Sequence, residues 1–146
     1  KAHIGVDEDS GLVHHVACTA ANVADVTQVH ALLHGKEVSI HGDSGYTGAE
    51  SRPELAGCEA PFFIATKRSR ITAIADARQR KQYQRWERCK ASLRAKVEHP
   101  FRVVKRQFGY TKVRYRGLAK NAAQVLTLFA LWNLWMARRQ LLQKTG

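Results

Sequence analysis

The first residues of the chain change from a two-residue period to a helical period, which predicts a strand hairpin followed by a helix. Residues 2–6 (AHIGV) alternate loosely, and residues 12–18 (LVHHVAC) are rich in β-forming side chains. The turn-forming run 7–11 (DEDSG) separates them, so we expect an antiparallel hairpin. Valine and leucine then recur at helical spacing from a cap at Asn22 to about His34.

Two further strands are predicted before the middle of the chain. Residues 37–41 (EVSIH) are a short run that predicts a strand, and residues 61–66 (PFFIAT) are an apolar run of strand length. A turn at residues 42–45 (GDSG) follows the first run, and residues 47–56 have modest helical character that Pro53 interrupts or begins. The order β-β-α-β-α-β, followed by long helices, predicts an α/β protein with a mixed sheet.

Charged helix-forming residues replace this pattern in the second half of the chain. Arginine, lysine, glutamine and alanine dominate residues 76–96, which predicts a long helix. Pro100 is expected to kink or break it, because proline lacks a backbone N–H and disfavours the α conformation of the preceding residue. A helical pattern resumes over residues 101–108, Gly109 is expected to stop it, and residues 110–118 (YTKVRYRGL) are predicted to form a basic loop.

The last helix is predicted from a cap at Asn121 to about Gln143, and its sequence is apolar nearly all round. Such a helix is expected to be buried, inside the domain or against a missing or partner surface. Trp132 and Trp135 are expected to pack in the core. The apolar run 122–137 is shorter than the roughly 20 residues that span a bilayer, so no membrane partner is expected.

Charge divides the chain into three parts. Residues 1–66 have a net charge of −6, residues 67–120 of +15 and residues 121–146 of +3. We interpret them as a sheet-rich acidic part, a basic helical part and an apolar C-terminal helix of one domain, residues 1–146. The overall charge of +12 indicates a polyanionic partner, and this uneven distribution is typical of an acidic site beside a DNA track. A solvated helix face is the alternative interpretation of the basic run.

Cysteine usage bears on the compartment. Cys18, Cys58 and Cys89 are odd in number and widely separated, which argues against a disulfide framework and against a structural zinc site. Reduced thiols, together with an opening sequence that lacks the apolar run of a signal peptide, predict a cytoplasmic protein.

Two carboxylates on separate predicted elements are candidates for chemistry. Asp43 follows a short strand, and sites in open α/β sheets lie beyond the carboxyl ends of strands. An Asx-type turn cap is its alternative role. Glu98 lies on the basic helix, where Arg94, Glu98 and Lys105 fall within roughly 40° of one face. A salt bridge with Arg94 is the alternative role of Glu98.

Carboxylates beside a strongly basic surface favour a divalent-metal site for phosphoryl transfer. Mg²⁺ binds few carboxylates and otherwise water and substrate phosphate. Two metal ions about 4 Å apart can clamp the attacking and leaving oxygens of an in-line displacement. Phosphate contacts with little base recognition are expected from Arg85, Arg88, Lys90, Arg102, Arg106, Lys112, Arg114 and Arg116.

Several motifs in a fixed order resemble the DDE transposases of bacterial insertion sequences. The resemblance is closest to the insertion-sequence-five group within the insertion-sequence-four-like superfamily, and it covers essentially the whole chain. The matching segments are residues 1–14, 42–46 (GDSGY), 94–105 with the Arg94, Glu98 and Lys105 spacing, 97–110 (VEHPFRVVKRQFGY) and 116–121 (RGLAKN).

This resemblance implies an RNase H-like fold and an enzyme that uses Mg²⁺ or Mn²⁺ to cleave the 3′ ends of an insertion sequence and transfer them to target DNA. Asp43 would be the second catalytic aspartate and Glu98 the catalytic glutamate, both as metal ligands. Arg94 and Lys105 would be the arginine and lysine of the family motif, whereas Ala91 stands where the family has tyrosine. The resemblance also implies double-stranded DNA as partner, a homodimer in a synaptic complex, and a bacterial, nucleoid-associated location.

The first catalytic aspartate of the family has no counterpart at its expected place. The family carries it on the first, central strand, and the predicted elements correspond to the second to fifth strands of that fold. Asp7 and Asp9 fall in the hairpin turn instead. We therefore expect the chain to be the C-terminal part of a transposase, with the first strand and its aspartate upstream of Lys1. Alone, it would be poorly stable or inactive. The alternatives are a truncated DNA-binding remnant without catalysis and another RNase H-like nuclease.

Overall fold

The computed structural model describes residues 1–143 of the chain, and over this range strands and helices alternate as in an α/β protein. The strands are β1 (Ala2–Val6), β2 (Val13–Cys18), β3 (Ile40–Gly42) and β4 (Phe62–Ile64), and the α-helices are α1 (Arg68–Thr72), α2 (Ala77–Arg106) and α3 (Leu118–Gln143). Short 3₁₀ helices occupy Asp25–Leu32, Ser44–Tyr46, Ala49–Ser51 and Pro53–Leu55. The predicted α/β class is therefore confirmed.

The chain forms two compact units, each with a two-stranded sheet. The hairpin unit comprises Lys1–Val23 and the chain from Lys96, and the parallel-strand unit comprises Ala24–Ala95. β1 and β2 pair antiparallel in the first, and β3 and β4 pair parallel in the second. Each of the four strands of residues 1–143 therefore pairs only with the other strand of its own unit. The sequence predicts a single mixed sheet instead, and that prediction is wrong for this range.

The predicted hairpin is confirmed, and its turn is fixed by an aspartate. The Asp7 carboxylate accepts hydrogen bonds from the backbone N–H and the hydroxyl of Ser10, at 2.7 and 2.5 Å. These bonds lower the pKa of Asp7, because they favour its charged form. α2 and α3 pack on the hairpin through a shared core of Ile4, Val13, Val103, Val104, Val125, Phe129 and Trp132.

A side-chain amide of α3 pairs with the backbone of β2. The Nδ2 of Asn133 donates to the carbonyl of Val13 at 2.7 Å, and its Oδ1 accepts from the N–H of Val13 at 2.9 Å. One residue earlier on the helix, the indole Nε1 of Trp132 donates to the carbonyl of Gly11 at 3.3 Å. These contacts fix α3 to the start of β2.

Helix α2 continues through Pro100, where the sequence predicts a kink or a break, so the predicted break is wrong. Pro100 is almost fully buried, and its neighbours Val97 and Phe101 pack against the hairpin core. Burial of this apolar surface offsets the backbone hydrogen bond that the proline removes. The predicted stop agrees with the end of α2 at Arg106, and Gly109 follows with a φ of 69°, in the left-handed region.

Helix α3 begins at Leu118, three residues before the predicted cap at Asn121, and buries only one face. Trp132 is almost fully buried, as predicted, but Trp135 is 39% exposed and Leu134 is 58% exposed. The predicted core role of Trp135 is therefore wrong. Residues 144–146 of the predicted C-terminal part lie outside the described residues. Within the described part of the chain, none of the helices combines the length and apolarity of a membrane span.

The parallel pairing of β3 and β4 sets the geometry of the second unit. Gly42 pairs with Ile64, and the N–H of Ala65 donates to the carbonyl of Gly42 at 2.9 Å. Both strands therefore end at the same edge of the sheet. This unit has its own small core of Val29, Ala49 and Leu55.

The helix predicted over residues 22–34 is a 3₁₀ helix over Asp25–Leu32. Ala24, rather than Asn22, precedes it and makes no side-chain cap. Its β-branched residues at Val26, Thr27 and Val29 weaken the preference for an α-helix. α1 was not predicted, since a five-residue helix with a single buried residue, Ile71, has no readable period.

Candidate active site

Asp43 lies directly after β3, at the edge where both parallel strands end. Its Oδ1 accepts a hydrogen bond from the N–H of Gly45 at 2.8 Å, and it thereby caps the short 3₁₀ helix Ser44–Tyr46. The predicted strand-end position and the alternative role as a turn cap are thus both present. They are compatible, because a carboxylate has two oxygens with about four acceptor sites and the cap uses one of them.

A second carboxylate, Asp25, lies beside Asp43. A β-carbon at Gly45 would lie 3.0 Å from Oδ1 of Asp43 and 3.2 Å from Oδ2 of Asp25, so both side chains flank this glycine. Asp25 belongs to the 3₁₀ helix Asp25–Leu32, eighteen positions earlier in the chain. The sequence gives no sign of this role for Asp25, because no local pattern connects a helix residue with a turn that follows a distant strand.

The half-buried side chain of Tyr46 lies close enough to this acidic pair to feel the charge of both carboxylates. Burial, together with the negative charges of Asp25 and Asp43, raises the pKa of Tyr46 to about 12. The phenol therefore stays neutral at physiological pH. A β-carbon at Gly42 would lie 2.9 Å from Cδ1 of Ile64 and 3.3 Å from Cβ of Tyr46, so the glycine allows the tyrosine to pack against the strand ends.

An ion pair secures the end of β4 to α2. The Nζ of Lys90 donates to the carbonyl of Ile64 at 2.9 Å and lies 2.5 Å from Oε1 of Glu87. Oε2 of Glu87 accepts from the N–H of Thr66 at 3.2 Å. Burial opposes the charged form of Glu87, yet the hydrogen bonds from Lys90 and Thr66 outweigh it and hold the pKa of Glu87 below its ordinary value. Lys90, which the sequence suggests as a phosphate contact, is thus engaged within the unit.

Glu98 is exposed on the part of α2 that belongs to the hairpin unit. Val97 before it packs against the hairpin core, and the ring of His99 after it meets the ring of Trp132 edge to face at 4.9 Å. The helix on both sides of Glu98 is therefore held in place. Asp43 and Glu98 belong to different units.

Most of the predicted DNA-binding side chains lie on exposed surface. Arg102, Lys105 and Arg106 lie on the last turns of α2, where Val103 and Val104 are buried between them, and Arg94 is half-buried on the same helix. The loop between α2 and α3 exposes Lys112, Arg114 and Arg116. Exposed cationic side chains suit contacts with DNA phosphates, because the phosphates lie on the outside of the duplex.

The donor set of the candidate site suits a hard cation. Asp43 and Glu98 offer carboxylate oxygens, which Mg²⁺ and Mn²⁺ accept. Across residues 1–143, no three histidine, cysteine, aspartate or glutamate side chains are grouped so that they could hold a metal ion. The oxygen donors of Asp43 and Glu98 thus suit a divalent cation. One carboxylate alone does not make a binding site, so the cation would need further ligands.

These observations first define a class: an α/β protein with an exposed aspartate at the end of parallel strands and a strongly basic helical segment. The chain matches the Transposase DDE domain family over residues 1–134, and it belongs to that family. Transposases are enzymes that act on DNA, so membership indicates this activity and this substrate for the chain. No solved structure matches the chain.

Proposed function

We propose that the chain belongs to a bacterial transposase of the insertion-sequence-five group, with an RNase H-like catalytic domain. Its reaction is cleavage of the element's 3′ ends followed by strand transfer into target DNA. The observation that carries the proposal is the exposed Asp43 carboxylate at the shared end of β3 and β4, with one oxygen already fixed by Gly45. Ligand sites of open α/β sheets lie at this end of the strands.

In this proposal Asp43 and Glu98 hold Mg²⁺ or Mn²⁺. When bound, the cation supplies activation of the attacking oxygen and neutralises charge on the scissile phosphate. The Gly45 N–H keeps the Asp43 carboxylate oriented, and the packing of Val97 and His99 does the same for the Glu98 backbone. Arg94 and Lys105, with Arg102 and Arg106, hold the flanking DNA phosphates as charge-assisted donors.

A third carboxylate completes the site in this proposal. The four strands of residues 1–143 contain no aspartate or glutamate, and Asp7 is committed to the hairpin turn through Ser10. We therefore propose that a strand outside residues 1–146 supplies the first catalytic aspartate. The protein acts in the bacterial cytoplasm, as a homodimer on double-stranded DNA at the nucleoid.

The proposal is tested with Asp43→Asn and Glu98→Gln in the intact transposase, using DNA that carries an element end. Each change should abolish Mg²⁺-dependent cleavage and leave DNA binding intact, because the cations are untouched. Asp9→Asn, in the exposed hairpin turn, is the matched control and should cleave normally. Cleavage that survives both changes would show that these carboxylates are not catalytic.

The same assay separates the alternatives. Cutting without strand transfer would identify another RNase H-like nuclease. DNA binding by the wild-type protein with no cleavage in Mg²⁺ or Mn²⁺ would identify a non-catalytic remnant.

A further inference from the structure

The loop between α2 and α3, residues 110–117, presents one sign of charge to solvent. Lys112, Arg114 and Arg116 occur at every second position, the loop contains no acidic residue, and residues 111–117 are all exposed. Val113 and Tyr115, between the cations, are 66% and 51% exposed as well. Residues 111–117 therefore have no buried side chain to fix the shape of the loop.

The first end of the loop is anchored through the hairpin core. Tyr110 packs against that core, and its N–H donates to the carbonyl of Val104 at 3.1 Å. Gly109, with a φ of 69°, makes the turn that brings the chain back toward α2.

The second end is anchored by one side chain, Asn121. Its Nδ2 donates to the carbonyl of Tyr115 at 2.6 Å and to the carbonyl of Gly117 at 2.7 Å. Its Oδ1 accepts from the N–H of Tyr115 at 3.2 Å. The backbone on both sides of Arg116 is therefore tied to the first turn of α3. A cap at Asn121 is what the sequence predicts; the structure makes it a loop anchor instead.

We propose that Asn121 is a positioning residue that pre-organises this loop as a docking surface for the sugar-phosphate backbone of duplex DNA. The inference rests on the proposed function, since it takes DNA as the partner. Three cations without an opposing carboxylate complement a polyanion, and they reach phosphates without requiring a particular base sequence. An ordered loop loses less conformational entropy on binding than a flexible one, so the three hydrogen bonds of Asn121 increase affinity without touching DNA.

The test compares duplex affinity and its salt dependence in the intact protein. Asn121→Ala should weaken binding about tenfold while the slope of log K against log [salt] stays the same, because every cation remains. Arg116→Ala should weaken binding and also reduce the slope by about one, because one phosphate contact is lost. A smaller folded fraction would also lower the apparent affinity without changing the slope, so the folding of Asn121→Ala is checked separately.

Two further variants guard against loss of folding. Gly117→Ala strains the same turn from outside the core, since Gly117 has a φ of 87°, and it should weaken binding in the same way. Gln140→Ala removes an exposed amide from the same helix and should change nothing. In the double variant, Gly117→Ala should reduce the affinity for DNA by a smaller factor than it does alone, because both substitutions act on one loop.

The outcomes distinguish this inference from the proposed function. Suppose that Asn121→Ala and Gly117→Ala bind duplex DNA as tightly as the wild-type protein, although trypsin cleaves their loop faster. The loop is then not part of the DNA interface, and the inference is overturned. If the wild-type protein binds no duplex DNA, the proposed function is overturned, and the inference that depends on it is overturned as well.

Discussion

The carboxylates of Asp25 and Asp43 lie on either side of Gly45, within 3.2 Å of the position that a β-carbon there would take. Gly45 supports this arrangement in two ways. Its N–H donates a hydrogen bond to one oxygen of Asp43, and its lack of a side chain leaves room for both carboxylates. The φ of Gly45 is not in the left-handed region, so the backbone itself would accept alanine.

We expect Gly45→Ala to reduce DNA cleavage about tenfold, since displacement of a catalytic group by about 1 Å costs about 100-fold and a methyl group here requires a smaller shift. DNA binding and thermal stability should remain near the wild-type values. Gly57→Ala is the control, because a β-carbon at Gly57 meets nothing within 4 Å. Equal cleavage by the two variants would mean that the Asp43 carboxylate is free to move without cost.

Glu87→Gln should lower the free energy of unfolding by about 1.5–3 kcal/mol at neutral pH, the range for hydrogen bonds to charged groups. The folded-state pKa of Glu87 lies below its ordinary value, so its contribution is present above the unfolded-state pKa and disappears as the pH falls through the folded-state pKa. Urea unfolding of wild type and variant at several pH values should therefore show two curves that converge in acid. Glu59→Gln, at an exposed position, should follow the wild-type curve throughout.

Trp132→Ala should cost about 3–5 kcal/mol of stability, because it removes an almost fully buried indole and its hydrogen bond to Gly11. Trp135→Ala, three positions along the same helix, should cost less than about 1 kcal/mol, since it removes a partly exposed ring and a cation–π contact with Arg138. Thermal unfolding of the pair measures the difference directly. Similar losses would contradict the one-sided burial of α3.

Asn133→Ala should destabilise the protein by about 1–3 kcal/mol, because it leaves the N–H and the carbonyl of Val13 without the amide that pairs with them. Hydrogen exchange should report the loss locally, with faster exchange at Val13 than at other β2 amides. Gln140→Ala again provides the comparison for loss of an exposed amide from α3. Unchanged protection at Val13 would count against this pairing in solution.

Local sequence patterns predicted the parts of the fold that local rules govern. The hairpin turn at Asp7, the strand before Asp43 and the long basic helix each have their cause within a few residues. The continuation of α2 through Pro100 does not, because it depends on burial against a hairpin about ninety positions earlier.

The same distinction holds at the candidate site. Asp43 could be predicted from a strand followed by a turn, and its motif glycines have a packing reason that only the structure reveals. Asp25 could not be predicted, because packing of a 3₁₀ helix against the turn at Ser44–Tyr46 brings it there. Glu87 lies in a run of cations where the sequence gives no sign that its partners are Lys90 and Thr66.

The amide of Asn133 also blocks one edge of the hairpin at the start of β2. By occupying both backbone groups of Val13, it imitates a neighbouring strand for one residue and closes the outer margin of β2 at that point. At this position β2 therefore has no backbone group left to pair with a further strand. A single side chain on α3 thus protects the start of β2 from unintended strand pairing.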